Sequence, residues 1–436
     1  MKNTFRYLYF RFINKKLFGI HKRQITFIIV ITLIINCFAQ DPPIQQDSIT
    51  QTFYQNNNQQ IFWFSSRINV KRASEWMAII ESAGKFGIEE DTNRIGKMRG
   101  SLAGYRRMDA LDKKQADWLM TSMVLNVIRT LQEGKIVFDY DEIKVSRDIE
   151  YVMQLLNAKP REHASDMVAR LDCKDSDYLV LKKYLLDSIS KQDAFKYKEI
   201  VLAMNYRRYL SVVNHPEYIL VNLPETQGVY YRNNLPVLKM RVVAGKKKSP
   251  TPLIAAYVTS IVTFPFWNVP HTVAVDELLP KVQKDENYLE QNNFDIVDAK
   301  GNVVEESDLK WKDYNARNFP YYFRQSSGAD NSLGVLKFNL QNPFSIFLHS
   351  TSVQSAFTRD MRFLSHGCIR LEKPFELAIA LLRGNIDIAE LKGGKKNTVS
   401  NTIPLPVKIP VFIIYSPVVV DDKKVTFLPD VYGLIK

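Results

Sequence analysis

Near residue 215 the apolar pattern of this 436-residue chain changes period, and that change constrains the fold more than any other feature. Before it, from about 66 to 210, apolar residues recur at helical spacing. Leu111 to Leu131, with Asp112 as cap and Gly134 as stop, reads as one helix; Ile149, Val152, Met153 and Leu156, after a Ser146 cap and before Pro160, read as another. After it come short alternating runs, "EYILVNLP", "GVYYRNN", "LPVLKMRVVAG" and "LIAAYVTSIVTF", which read as strands joined by turns. A charged stretch then interrupts them before "GVLKFNL" and "FSIFLHS" resume. It is too long for a structureless loop, so an inserted subdomain is expected at about 270–325. The short helix "KPFELAIALLRG" has Pro374 in its first turn and Gly384 at its stop, and strands return in "IPVFIIYSPVVV" and "KKVTFLPDVYG". The expected class is α+β: a helical scaffold over 61–210, then a mostly β domain over 211–436 that carries the insertion.

The chain is 46% hydrophobic and 12% aromatic, ample for packed cores, so it is globular rather than disordered. Its formal charge of +13 suggests nucleic acid until the charges are located. Lys2, Arg6, Arg11, Lys15, Lys16, Lys22 and Arg23 supply seven of them within the first 24 residues, which hold no acid. The rest is modestly basic, with no run longer than Lys246, Lys247 and Lys248, and suits an acidic polymer rather than a nucleic-acid face. The basic start is followed by the apolar Ile25–Ala39 and then by "QDPPIQQDS", the pattern of an export signal within residues 1–40. Cleavage after Ala39, an uncleaved membrane anchor, and a lipid on Cys37 are the alternatives. Each puts the remainder outside the cytoplasm: periplasmic, secreted or anchored to the inner membrane. Residues 41–60, polar and rich in Asn and Gln, read as a linker.

Beyond Cys37 there are two cysteines, Cys173 and Cys368, too few for a disulfide framework, although an exported chain could pair them. Cys368 lies in "RFLSHGCIRLEKP". A cysteine is a useful nucleophile only as a thiolate, which needs a base or a cation within reach. His349, nineteen residues earlier at the end of "FSIFLHS", is the better general base, on a strand whose Ser345, Phe347 and His349 would share one face. His366, two residues from the thiol, is better suited to shaping the site. Gly367 relaxes the turn so that backbone N–H groups can meet an oxyanion. A zinc site built on the Cys and the two His, and an inert buried thiol, are the competing readings. With no second Cys pair and no spaced carboxylate nearby, neither a metal nor another cofactor is expected.

The run "HSTSVQSAFTRDMRFLSHGCIR", His349 to Arg370, resembles the L,D-transpeptidase (YkuD-type) catalytic motif of a His, a spacer, then Ser/Thr-His-Gly-Cys. "FPFWNVPHTVA", "YLEQNNFDIVDAKG" and "FRQSSGADNSLGVLKFNL" look like the large subclass, with a helical scaffold and a lid subdomain. The resemblance covers roughly residues 200–436. It implies a cell-wall enzyme that attacks a peptidoglycan tetrapeptide stem after its third residue, forms a thioester on Cys368, and passes the acyl group to an amine in a 3-3 crosslink. An L,D-carboxypeptidase or amidase with water as acceptor, and a non-catalytic wall-binding scaffold, are the alternatives. The stem peptides would be the partners, with no nucleic acid.

By the same resemblance His349 is the base, the Ser350 carbonyl orients its imidazole, and His366, Gly367 and Cys368 shape the oxyanion site. Phe347 stands where the subclass often has Tyr. Arg370 replaces the Asn of the general motif and would position a substrate carboxylate or the loop. No peptidoglycan-binding module is legible between the scaffold and residue 200. Arg359 and Arg362 would read stem carboxylates bidentately unless they are solvated loop residues. Trp267 and Tyr322 would line a peptide groove unless they are packing, and Asn331, Gly334 and Lys337 would floor the site.

Overall fold

The computed structural model describes residues 48–435 apart from 145–150, 153, 155, 157–161, 189–192, 214, 286 and 394–398. The export segment and most of the expected helix after Ser146 lie outside the described residues, although Val152 and Leu156 are within them and buried. Among the described residues no helix is long and apolar enough to cross a membrane.

The helical part begins earlier than the polar composition suggests. Residues 48–56 are not linker: Ser48–Asn56 forms helix α1, which buries Thr50, Phe53 and Tyr54. The abundant Asn and Gln lie on its outer side and mask the apolar face. Helices α2 (Arg67–Glu81), α3 (Thr92–Gly104), α4 (Ala110–Glu133) and α5 (Ala164–Leu171) complete the bundle. The cap of α4 is Asp109, whose carboxylate accepts from the Asp112 amide at 2.8 Å, so the cap lies three residues before the expected Asp112. The helix stops at Gly134.

α4 is buried nearly all round, with Met120, Met123, Val124, Val127 and Ile128 in one core with Trp63, Trp76 and Met98. Its Asp117 is fully buried and accepts the Phe62 amide at 2.7 Å and the Trp63 amide at 2.8 Å, fixing the segment between α1 and α2. Burial, only partly offset by those amides, pushes its carboxyl up to about 6.

Helices α6 (Ser176–Ser188) and α7 (Ala194–Val212) join the bundle to the β domain. Their apolar cluster includes Cys173, Tyr178 and Met204 and takes in Val418 of the hairpin β15 (Val418–Asp421) and β16 (Lys424–Phe427). Fully buried Arg208 of α7 donates to the Phe86 carbonyl at 2.6 Å, the Tyr178 hydroxyl at 2.9 Å and Asn205 Oδ1 at 2.9 Å.

The main sheet closes on itself. Strand β14 (Asn401–Ile414) runs parallel to β2 (Glu217–Asn222) on one side and antiparallel to β5 (Ile254–Thr263) on the other. The ring β5, β10, β11, β13, β4, β3, β2, β14 then returns to β5. Its members are β3 (Gln227–Arg232), β4 (Leu235–Gly245), β10 (Leu336–Leu340), β11 (Leu348–His349) and β13 (Ile369–Leu371). Outside the ring path, β1 (Tyr140–Asp141) pairs with β5 and β12 (Phe363–Ser365) with β4. Tyr230, Val242, Val258, Phe338, Leu348, Ile369, Val411 and Ile413 share one core, on which the helix α8 (Pro374–Leu381) packs. Strand β2 is buried on both faces, because Ile219 and Val221 meet that core while Tyr218 and Leu220 pack with Tyr209 of α7. This explains its unbroken apolar run.

The insertion sits in the hairpin connection between the antiparallel neighbours β5 and β10. Its own sheet, in the order β6 (Trp267–Asn268), β9 (Tyr322–Gln325), β7 (Phe294–Val297), β8 (Val303–Val304), encloses a separate core with Leu278, Val282, Trp311, Phe319 and Phe323. The pair Trp267↔Gln325 is its root.

Candidate active site

Between this lid and the barrel lies a cavity of about 720 Å³, lined by Trp267, Glu277, Lys281, Asp330, Phe347, His349, His366, Cys368 and Arg370 among others. Of the residues expected to be chemical, His349, His366 and Cys368 meet here. The expected strand "FSIFLHS" is shorter than its alternation implies: only Leu348 and His349 join the ladder as β11. Before them the chain loops around Asn342, whose amide donates to the Leu340 and Ile346 carbonyls while its Oδ1 accepts from Phe344 and Ile346. Ser345 takes φ +56°, so it does not continue the face of Phe347 and His349. Its carbonyl instead lies 3.6 Å from Cys368 Sγ.

His349 is buried, and its Nδ1 lies 2.5 Å from the Ser350 carbonyl. A carbonyl only accepts, so Nδ1 carries the proton and Nε2 keeps the lone pair. Burial first, then the Arg370 guanidinium, lowers the imidazole to about 3, so it is neutral at ordinary pH. The Ser350 hydroxyl accepts from the Leu336 amide at 3.0 Å and donates to the Leu333 carbonyl at 3.0 Å, pinning the strand that carries His349. That approach needs Gly334, where a Cβ would stand 2.2 Å from Ser350 Oγ.

Cys368 is half-buried, and burial pushes its thiol up to about 11 against the pull of the Phe347 backbone first and then of Lys337 and Arg370. Its turn is built by Ser365, whose Oγ donates to the Cys368 carbonyl at 2.5 Å and accepts from the Gly367 amide at 3.1 Å. That Gly367 N–H is therefore engaged within the turn rather than offered to an oxyanion. The glycine is needed for its φ of +122° and for space, since a Cβ would meet Ile346 Cδ1 at 3.0 Å. Buried Thr251, unremarked in the sequence, ties this turn to the end of β4: its hydroxyl donates to the Gly367 carbonyl at 2.7 Å and accepts from the Gly245 amide at 2.9 Å.

His366 turns to the lid. Its Nε2 lies 2.6 Å from Glu277 Oε1 and 2.9 Å from Lys246 Nζ, and Lys246 also pairs with Glu277 at 2.9 Å. Burial of Glu277 works against ionisation, but the hydrogen bonds from His366 and Lys246 prevail and hold its carboxyl below the usual range. Glu277 was not legible as a site residue, because 89 positions separate it from His366.

The expected substrate contacts divide. Trp267 and Arg370 line the cavity, whereas Arg359, Arg362, Tyr322 and Asn331 are not in its wall. The Arg362 guanidinium donates to the Arg359 carbonyl at 2.9 Å and points toward the Glu225 and Thr226 carbonyls at 3.4 Å, so it braces the β2–β3 turn. Arg359 is exposed in its loop. Tyr322 stands edge-on to His271 at 6.0 Å, opposite in strand alternation to the core residue Phe323. Buried Asn331 donates to the Ser326 carbonyl at 2.9 Å and accepts from the Leu333 amide at 2.8 Å, stapling the loop where the lid rejoins the barrel. Among the described residues no His, Cys, Asp and Glu cluster is placed to hold a metal ion, and Cys173 and Cys368 are both free thiols.

Residues 48–185 match the family profile described as the Scaffold domain. A Haemophilus influenzae protein named "Putative L,D-transpeptidase" is 35% identical over 237 residues, 53% of this chain and 47% of its own length. The chain thus spans about half the length of the curated relative it matches. Among solved structures, one titled "Structure of the Ldtfm-avibactam carbamoyl enzyme" aligns at 14% identity and TM-score 0.24, over 47% of this chain and 50% of that one. An NMR structure of the catalytic domain of the E. faecium L,D-transpeptidase acylated by ertapenem aligns at 14% identity and TM-score 0.23, over 46% of this chain and 98% of that one. Residues 216–407 match the profile described as the L,D-transpeptidase catalytic domain, YkuD, so this chain carries a YkuD-family catalytic domain joined to a Scaffold domain.

Proposed function

We propose that the protein is a peptidoglycan L,D-transpeptidase that forms 3-3 crosslinks through a thioester on Cys368. The observation that carries the reading is the meeting of Cys368 with a neutral, Nδ1-locked His349 in one cavity beneath the lid. Cys368 Sγ attacks the carbonyl after the third residue of a tetrapeptide stem as His349 Nε2 takes the thiol proton. The tetrahedral intermediate expels the terminal residue, whose amine receives that proton from His349, and the thioester remains. The side-chain amine of a second stem attacks the thioester, His349 accepts its proton, and the thiol leaves and is reprotonated. A wall of mixed sign, with Lys281 and Arg370 beside Glu277 and Asp330, suits a peptide that carries both carboxylates and ammonium groups. Ser350 and Ser365 act by positioning, and His366 by joining the lid to the nucleophile turn.

This substrate lies outside the cytoplasm, so the proposal includes export through residues 1–40, by cleavage or as an anchor. The test is intact-mass measurement after incubation with a tetrapeptide donor, with and without an amine acceptor. The expected result is an adduct equal to the donor minus its terminal residue, present in the wild type, absent in Cys368→Ala, and discharged into a crosslinked dimer. Release of the terminal residue with no crosslink selects the hydrolase, and absence of any adduct selects a non-catalytic wall-binding protein.

A further inference from the structure

Three neighbouring strands place their basic residues in one row. Lys337 of β10 is the register partner of His349 of β11, and His349 is the partner of Arg370 of β13. Cys368 lies two positions before Arg370. The Lys337 ammonium stands 4.3 Å from the centre of the Phe347 ring, which is itself 5.7 Å from the imidazole. A partly buried lysine in this place is costly unless a charge answers it. Among the described residues neither Lys337 nor Arg370 has a carboxylate partner, and Arg370 Nε is buried without a hydrogen bond. The acids near the cavity are placed otherwise: Glu277 is held by Lys246 and His366 across the mouth, while Asp330, like Lys281, is in the lid-side wall.

Burial lowers the Lys337 ammonium while the Cys368 charge raises it, and both cations pull the thiol and the imidazole down alike, favouring the deprotonated form of each. They ease ionisation of Cys368 and oppose protonation of His349. An imidazolium between two cations is a poor counter-ion for a thiolate.

Resting on the reading of Cys368 as the nucleophile, we propose that Lys337, seated behind Phe347, supplies with Arg370 the positive charge that balances the negative charge forming on Cys368 Sγ. His349 then serves only to move the proton. No bond forms to Lys337, and it acts through the field at the sulfur.

The experiment is alkylation of Cys368 by iodoacetamide in the full chain, followed by intact mass across a pH series, with no peptide present. Its outcome is therefore independent of whether stem peptides are the substrate. Lys337→Met should lower the rate constant about tenfold at every pH below the thiol midpoint, the effect of about one pKa unit, and Lys337→Arg should restore most of it. Lys310→Met, an exposed lid lysine, should leave the profile unchanged. A Lys337→Met profile that superimposes on the wild type overturns the proposal, as does a Lys337→Arg profile as low as that of Lys337→Met. Should Lys337→Met not fold, His349→Gln decides. An imidazolium counter-ion would make that variant's profile drop by a comparable factor, against the proposal, whereas a neutral imidazole leaves the sulfur's titration in place.

Discussion

Replacing Thr251 by Val keeps the shape of a fully buried side chain and deletes its hydroxyl. Two groups lose their partner at once, the Gly245 amide at 2.9 Å and the Gly367 carbonyl at 2.7 Å. Each is a buried backbone group, and leaving one unsatisfied costs about 1–3 kcal/mol. Partial relaxation toward Tyr432, whose hydroxyl already bonds the Gly245 carbonyl at 2.6 Å, keeps the sum near the low end. The expected loss is about 3 kcal/mol in the β domain, roughly 6–12 °C for a unit of about 200 residues. The assay is thermal unfolding of the full chain followed by near-ultraviolet circular dichroism, with Thr251→Ser as the control that retains the hydroxyl. Because the Gly367 carbonyl belongs to the turn that presents Cys368, alkylation of Cys368 should change in the Val variant and not in the Ser variant. A Val variant that melts with the wild type, or a Ser variant that falls as far as Val, would refute the hydrogen-bond account.

Because His349 stays neutral when folded, its pKa lies below the unfolded value; protons then bind the unfolded chain preferentially, and stability falls as the pH drops below about 6.5. Between pH 7 and 5 that group alone should cost about 2 kcal/mol, and His349→Gln should show a shallower acid slope in denaturant titrations; an equal slope would contradict it. The same variant should slow peptide acylation by about 10²-fold or more, the scale of a lost positioned acid–base group, and a full-rate variant would remove His349 from the mechanism. Arg208→Met strands the Phe86 carbonyl and Asn205 Oδ1, while the Tyr178 hydroxyl keeps its bond to Asp172 Oδ1 at 2.5 Å; a loss of about 3 kcal/mol is expected, and a change below about 1 kcal/mol would mean that the two stranded groups find other partners. Glu277→Gln weakens a partly exposed clasp worth at most about 1 kcal/mol, so peptide acylation should slow no more than about fivefold, whereas a hundredfold loss would place Glu277 on the substrate.

The sequence was most informative where the determinants are local. His349 lies on β11 and Cys368 immediately before β13, two strands that pair directly, and nineteen residues suffice for the loop between them, so short motifs sufficed to expect that they meet. The change of period near 215 likewise reflects a physical boundary between helices packed on helices and strands packed on strands. What was not legible depends on distant partners or on side-chain direction. Arg359 and Arg362 read as carboxylate ligands because their loop leads to the thiol, yet the Arg362 fork is drawn to carbonyls of a turn more than 130 residues away. Glu277, Lys246 and Thr251 carry no local signature. The α1 segment was read as linker because composition averages over a helix whose buried face is only three residues wide.

The ring of strands carries a consequence for the order of assembly. His349 stands on β11, and the seam closed by β14 lies on the far side of the barrel, next to β2. Every residue of the motif thus precedes in sequence the strand that completes the wall opposite it, and pairing of β14 with β2 spans nearly 200 residues of chain. During synthesis Cys368, His349 and the lid all exist before the barrel does, with the edges of β2 and β5 open to other strands. Such long-range closure is a slow step in folding, since the cost of closing the loop precedes the gain of contacts. A chain stopped at residue 400 would hold the whole His349-to-Cys368 motif on an open sheet, and rapid amide exchange along β2 and β5 in that truncation, against protection in the full chain, would mark the seam as the last part of the domain to form.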